Sequence, residues 1–233
     1  MKKFLFLLML PLMCFGQEVS DSVVWNQIFS EQTGLKSDLK NFEKGESNDK
    51  YFSSPYDVSS SLNQIFCEDY NFIDSEDVVG RKKAILILSK AISIMEKADK
   101  SLFKNLDKGY LSYYRNLQML YSNRASTFYN NNPKSKIDIY ERAIEDYTKA
   151  IGYFKCQNKY KKKGFNQKDR MASNCYHKRG KYYLAMDDFD KAIDDFDKAA
   201  YLYPKIYLEC DVFKEGCDNN NSKACEYYNK HCK

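Results

Sequence analysis

Apolar residues along this chain recur every three or four positions, and the strict alternation of a half-buried strand is nearly absent. That periodicity predicts an all-α protein. The stripe is clear from about Ser75 to Ala98, where Ile85, Leu88, Ile92 and Met95 step along one helical face. From Tyr110 it sharpens, with Leu117, Tyr121, Ala125 and Phe128 one turn apart. The polar cluster Asn130 to Ser135, with Pro133 inside it, breaks that helix. Ile137 to Phe154 is the next helix, followed by a lysine-rich link from Lys155 to Arg170. Met171 to Met186 and Asp187 to Tyr203 then form a pair. Asp187 is the expected N-cap of its second helix, its carboxylate accepting from the first free N–H groups. Pro204 ends the pair because it has no N–H to donate. Upstream, Tyr56 to Asp69 carries Leu62, Ile65 and Phe66 and reads as a further helix. Between Gln17 and Ser60 only Val23, Val24, Ile28 and Phe29 suggest a short helix, and the polar residues after them read as linker.

The chain also repeats itself. Tyr140 to Ala150 matches Phe189 to Ala199 at every position except Thr148 against Asp197, and Lys83 to Ala91 is a weaker third copy. The preceding helices correspond too: Tyr121, Arg124, Ala125 and Phe128 align with Tyr176, Arg179, Gly180 and Tyr183. The first helices are offset by 55 residues and the second by 49, as a six-residue insertion at Asn130 to Ser135 requires. Gly180 and Ala192 are small enough for two antiparallel helices to approach closely, Ala199 leaves room for the next helix, and Tyr183 and Phe196 fill the gap. One such pair cannot cover its own apolar face, so pairs must stack.

Tyr176, Gly180, Tyr183, Ala192, Phe196, Ala199 and Pro204 resemble the signature of the tetratricopeptide repeat family. The match is strong over Ser173 to Ile206, interrupted over about Gln118 to Lys155, where Lys155 replaces the proline, and weak over about Leu62 to Ala98. The resemblance implies a solenoid of stacked antiparallel helix pairs. It also implies that the first helix of each pair lines a concave groove holding a protein or peptide. The corresponding positions are Met119, Ser122, Ser126, Tyr129 and Asn130 in one repeat and Asn174, His177, Lys181 and Leu184 in the next. Asn123 and Lys178 fall at two positions where some relatives clamp a terminal carboxylate, but the rest of that set is missing. No clamp is therefore expected, and Lys178 is kept as a groove residue.

Gly216-Cys217 and Ala224-Cys225 resemble the cysteine-bridged hairpins of Sel1-like repeats. Cys210 and Cys232 each lie seven residues, about two helical turns, from Cys217 and Cys225 and so share their faces. A hairpin turning near Asn219 to Asn221 then pairs Cys217 with Cys225 and Cys210 with Cys232. The expected fold is thus an α-solenoid with a disulfide-bridged C-terminal helical hairpin.

The N-terminus adds a compartment. Lys2 and Lys3 precede the apolar run Phe4 to Leu12, and Cys14-Phe15-Gly16 supplies a cleavage site before Gln17. This reads as a secretory signal peptide rather than a membrane span, with Met13 disfavouring lipid attachment at Cys14. The expected division is a signal peptide at residues 1–16, a polar segment of short helices or disordered chain at 17–60, helical repeats at 61–206 and a cysteine-rich cap at 207–233. Export to the periplasm or beyond also permits the disulfides. Without Lys2 and Lys3 the formal charge falls from +5 to +3, which does not suggest nucleic acid.

The lysines of the 155–170 link read first as a solvated loop, and secondly as a contact for an acidic partner or a membrane surface. The aspartates from Asp187 to Asp197 lack the glycine turn of a calcium loop, and the cysteines lack zinc spacing. No motif of a catalytic, metal or cofactor site is present, and the chain has two histidines, His177 and His231. The principal reading is an exported scaffold, not an enzyme. The alternative is an exported enzyme or thiol-active protein using an unpaired cysteine among Cys67, Cys156 and Cys175, against a buried structural thiol or a Cys156–Cys175 bridge.

Overall fold

The computed structural model describes residues 20–44, 54–70, 77–103, 110–128, 136–158, 169–203 and 209–233. Among them every regular element is helical. Helices α1 (Asp21–Glu31) and α2 (Leu35–Lys44) precede four consecutive pairs. These are α3 (Pro55–Ile65) with α4 (Val78–Lys97), α5 (Tyr110–Thr127) with α6 (Lys136–Asn158), α7 (Arg170–Ala185) with α8 (Phe189–Leu202), and α9 (Cys210–Asp218) with α10 (Ser222–His231). Each pair packs on itself, and α4 on α5, α6 on α7 and α8 on α10 join the pairs into a stack. The signal-peptide residues, Tyr129, Asn130 and Pro204 lie outside the described residues.

The stripes read from the sequence are the buried faces. Leu88, Ile92 and Met95 of α4 and Leu117, Tyr121 and Ala125 of α5 are buried in one continuous core. Ile85 is only half-buried, and its place on the stripe is taken by Ala84, Ile87 and Ala91. The weak third copy has its first helix after all, in α3. Ser59, Asn63 and Asn116 replace apolar residues where α3 meets α5, so no hydrophobic signature marks that contact. Ser59 Oγ donates to Asn116 Oδ1 at 3.1 Å, and Asn123 Nδ2 donates to Asn63 Oδ1 at 2.9 Å.

The segment after Phe29 corrects the linker reading. Leu35, Leu39 and Phe42 repeat at helical spacing and make α2, whose leucines are buried in the same core. Lys83 pairs with Glu31 of α1 and Lys90 with Glu43 of α2, so both helices are held on α4. Their polar composition describes the solvent face alone. The helix expected to run to Asp69 instead ends at Ile65, and a π-helical turn covers Phe66–Tyr70.

The N-cap of α8 is Asp188, not Asp187. Asp187 has φ 59°, in the left-handed region, and closes α7. Its N–H bonds to the Leu184 carbonyl at 3.0 Å, and the Asp188 N–H to the Tyr183 carbonyl at 2.9 Å. This satisfies the last carbonyls of α7. Asp188 then accepts from the Lys191 N–H at 3.2 Å to open α8. The cap uses the same turn. Asn220 has φ 65°, its N–H and that of Asn221 bond back to Cys217 and Gly216 at 2.9 Å, and Asn221 caps α10 by accepting from Ala224.

Inside the α5–α6 and α7–α8 pairs sits an arginine at equivalent positions. Arg124 donates through Nε and Nη2 to Asp146 at 2.7 and 2.8 Å, and through Nη1 to Ser89 of the preceding pair at 2.9 Å. Arg179 repeats this with Asp195 at 2.7 and 2.8 Å and Thr148 at 2.8 Å. The aspartates are 3% and 2% exposed, so neither has water to fall back on. Ser89, Thr148 and Asp197 are equivalent positions. The mismatch between Thr148 and Asp197 follows from the neighbour each meets. Arg179 brings its own carboxylate, so a neutral hydroxyl suffices. Asp197 instead meets Lys230 at 3.4 Å and His231 at 2.9 Å from α10.

Gly180 and Gly216 are glycines at which an added Cβ would crowd the facing helix. A Cβ on Gly180 would lie 3.1 Å from the Phe196 ring and 3.3 Å from the Ala192 carbonyl oxygen. On Gly216 it would lie 2.9 Å from Ala224 Cβ and 3.0 Å from the Phe189 ring. Phe196 is fully buried, as its signature position requires, while Tyr183 is half-buried beside it.

Two outcomes follow for urea denaturation. Arg179→Ala should lose about 3–5 kcal/mol because it strands the Asp195 carboxylate, and Arg179→Met with Asp195→Leu should recover most of it. Gly216→Ala should destabilise more than Gly180→Ala, with a loss of about 1–3 kcal/mol outweighing the helix propensity gained.

Candidate functional site

Helices α5 and α7 are the first members of neighbouring pairs, and the groove positions fall on one stripe of each. Ser122 and Ser126 are one turn apart on α5, and Asn174, Lys178 and Lys181 step along α7. The structure brings Ser126 and Lys178 together: the Lys178 ammonium donates to Ser126 Oγ at 3.0 Å. Ser126 Oγ donates in turn to the Ser122 carbonyl at 2.9 Å and lies 3.0 Å from the Tyr147 hydroxyl. Lys178 is exposed as a residue, yet its head reaches back against α5. The desolvation there, added to the neighbouring Lys181 charge, draws its pKa below the ordinary lysine value.

Beside this contact is a cavity of about 500 Å³. Its walls are Tyr140 and Tyr147 of α6 and Tyr182 of α7, and its rim is Ser126, Lys178, Lys181 and Ala185. Tyr140 and Tyr147 stand 5.3 and 6.1 Å, centroid to centroid, from Tyr182. Burial pushes the Tyr147 hydroxyl far above its ordinary pKa, so this ring stays neutral. No single repeat's pattern marks this trio. Tyr183 was expected to be the gap-filling ring, but Tyr182 is the more deeply buried of the two. The available signal was the seven-residue spacing of Tyr140 and Tyr147, two turns on one face of α6.

The other groove positions go elsewhere. Asn174 is exposed. His177 and Lys181 both turn to the last pair, where His177 Nε2 and Lys181 Nζ each lie 3.3 Å from Glu209 Oε1. The His177–Glu209 approach lacks hydrogen-bond alignment, and the ring packs edge-on against Phe196 at 5.4 Å. Burial lowers the His177 pKa against the pull of Glu209. Tyr129 and positions 159–168 of the lysine-rich link lie outside the described residues. Asn123 is committed to Asn63 of α3.

The cysteines divide cleanly. Cys210 is bonded to Cys232 and Cys217 to Cys225, fastening α9 to α10 at both ends. Cys67, Cys156 and Cys175 are free, so the Cys156–Cys175 bridge does not form. Cys175 is buried against Ser122 and desolvation pushes its thiol up to about 11. Cys67 is exposed, and desolvation raises its pKa as well. Both are held away from the reactive thiolate form. Among the described residues no group of three or more His, Cys, Asp or Glu side chains is placed to hold a metal ion. No described helix is long and apolar enough to cross a membrane.

The spacing of Tyr176, Gly180, Ala192, Phe196 and Ala199 over one closed helix pair is what decides the comparison with known families. Residues 173–206 match the tetratricopeptide repeat. The comparison with curated proteins gives no match. The matched segment is α7, α8 and their turn, the pair whose first helix carries Asn174, His177, Lys178 and Lys181. The α5–α6 pair carries the same Arg–Asp pairing, and the described residues form a helical-repeat scaffold with a disulfide-bonded terminal pair.

The tetratricopeptide pair and the terminal pair meet at His177, where burial disfavours the charged imidazole. Its depressed pKa makes neutral His177 the folded form, and Glu209, Lys181 and Lys178 are the charged groups that face it. The stabilisation is full above the ordinary value of 6.5 and is lost as pH falls through the lower folded value. Thermal melting from about pH 7.5 to about pH 5.5 should therefore show a steeper loss for the native chain than for His177→Phe.

Proposed function

We propose that this chain is an exported scaffold that holds a segment of another protein along the stripes of α5 and α7. The observation that carries the reading is the Lys178–Ser126 contact beside a tyrosine-walled cavity. It makes a continuous, partly polar surface from the first helices of two successive pairs. Helix pairs that stack in this way are rigid along the stack and present one face of every first helix to a ligand. Ser122, Ser126, Asn174 and Lys178 are the contact residues of this reading, with Lys181 and His177 at the edge nearest the last pair. The two disulfides support an oxidising compartment, in keeping with the apolar N-terminal run read as a signal peptide.

The raised thiol pKa values at Cys67 and Cys175 count against the thiol-active alternative. A photo-crosslinking residue at position 174 should capture a defined protein in intact cells, and one at position 201 should not. Tyr201 is 74% exposed on α8 and so reports the opposite member of the same pair. Lys178→Glu should lower the yield at position 174 by about tenfold while helical content stays constant. Equal capture at both positions, insensitive to Lys178→Glu, would remove the groove.

A further inference from the structure

We propose that the terminal pair is a client of a thiol–disulfide isomerase, a partner that rearranges Cys210–Cys217 and Cys225–Cys232 bridges of the newly oxidised tail into the nested bridges of the folded chain. This rests on the reading of the chain as exported, because an oxidising compartment supplies the disulfides to be exchanged. The native bridges join the first of these four cysteines to the last and the second to the third. Consecutive partners lie seven residues apart, against 22 for Cys210 and Cys232. In an unfolded chain the shorter loop closes about fivefold more often. The tail meets its oxidant in that state, because α9 and α10 bury little between themselves. Their cluster of Phe213, Ala224 and Tyr227 is completed by Ala192 and Phe196 of α8.

The consecutive bridges are incompatible with the fold. Cysteines two turns apart on one helix have Cα atoms about 10 Å apart, beyond the roughly 7 Å that a disulfide spans, so each such bridge forbids its helix. The native pairs stand 5.7 and 4.4 Å apart. Exchange out of the wrong state needs a thiolate. Two of the three free cysteines supply it poorly. Cys175 is buried, and desolvation pushes its thiol up to about 11; desolvation raises Cys67 as well. An isomerase thiolate closes the cycle without net oxidation. It attacks Cys210 Sγ, and Cys217 leaves as a thiolate. Cys217 attacks Cys225 Sγ, which forms the inner native bridge and releases Cys232. Cys232 then attacks Cys210 Sγ in the mixed disulfide, forming the outer bridge and returning the isomerase thiolate.

For the test, the purified chain from Gln17 onward is reduced, unfolded and returned to buffer with a protein disulfide oxidant that has no isomerase activity. Free thiols are alkylated, and the bridges are mapped by mass after trypsin, which separates the four cysteines at Lys214, Lys223 and Lys230. Consecutive bridges should outnumber nested ones about fivefold. A catalytic amount of reduced dithiol isomerase should then convert the chain to the nested form at least about tenfold faster than the same enzyme without its attacking cysteine. Cys67→Ala with Cys156→Ala and Cys175→Ala should leave this dependence intact. Nested bridges that predominate before isomerase is added overturn the proposal, as do equal rates with the active and inactive enzymes. So does a triple variant that no longer needs the enzyme, which places the trap at the upstream thiols. Should the triple variant fail to fold, the native map still decides, because bridges to Cys67, Cys156 or Cys175 in place of the consecutive ones count equally against it. The assay involves neither a compartment nor a groove ligand, so its failure and that of the scaffold reading are separate results.

Discussion

Two successive repeats of this chain, α5–α6 and α7–α8, are each registered by a guanidinium that has one place to go. Arg124 and Arg179 are fixed in both rotation and height by two parallel hydrogen bonds to a buried aspartate on the partner helix. Burial works against each arginine's charge, and the aspartate's hydrogen bonds and charge more than offset it, so both pKa values lie above the ordinary one. The third hydrogen bond leaves the pair and reaches the second helix of the repeat before it. Hydrophobic burial drives the stacking but is indifferent to small slips along an aromatic seam. The arginine is not indifferent, because a slip of one residue strands a carboxylate that is almost without solvent. Rings close the same joint from outside, with Arg124 and Lys149 over Tyr121 and Arg179 and Lys198 over Tyr176, all between 5.2 and 5.9 Å.

The last pair follows the same plan with fewer means. Its turn copies the Asp187–Asp188 turn in Asn220–Asn221, and glycine again sits at the closest approach. Yet α9 and α10 have 9 and 10 residues, and their core is the small cluster around Phe213 and Tyr227, apart from the main one. It has no internal arginine–aspartate pair among the described residues. The two disulfides take over that role by restricting the unfolded chain, each contributing about 2–4 kcal/mol. Asp197, the acidic exception in the repeat, then supplies the carboxylate that Lys230 and His231 lack at home.

How far this was legible from the residues depends on which force dominates at each place. Where apolar area decides, as at Leu117, Ala125, Ala192 and Phe196, period and residue size were enough. The disulfide pairing followed from spacing on two short helices, given the hairpin. Where polar groups replace apolar ones, the pattern hid the fold: α3 meets α5 through Ser59, Asn63 and Asn116, and its register has no hydrophobic mark. The N-cap was misplaced by one residue because Asp187 and Asp188 have the same chemistry, and only the left-handed φ of the first separates their tasks. The cavity was invisible for a different reason. Tyr140, Tyr147 and Tyr182 come from two repeats, and no single-repeat signature joins them.

The terminal pair also shapes what the α7 stripe can offer. Glu209 stands at the entry to α9 and draws both His177 and Lys181 towards the end of the stack. Of the cations on that stripe, this leaves Lys178 facing α5, over the tyrosines. One carboxylate thus holds two of these α7 side chains, and the third bonds to Ser126 of α5 instead. That carboxylate lies next to Cys210, whose bond to Cys232 fastens the terminal pair beside α7.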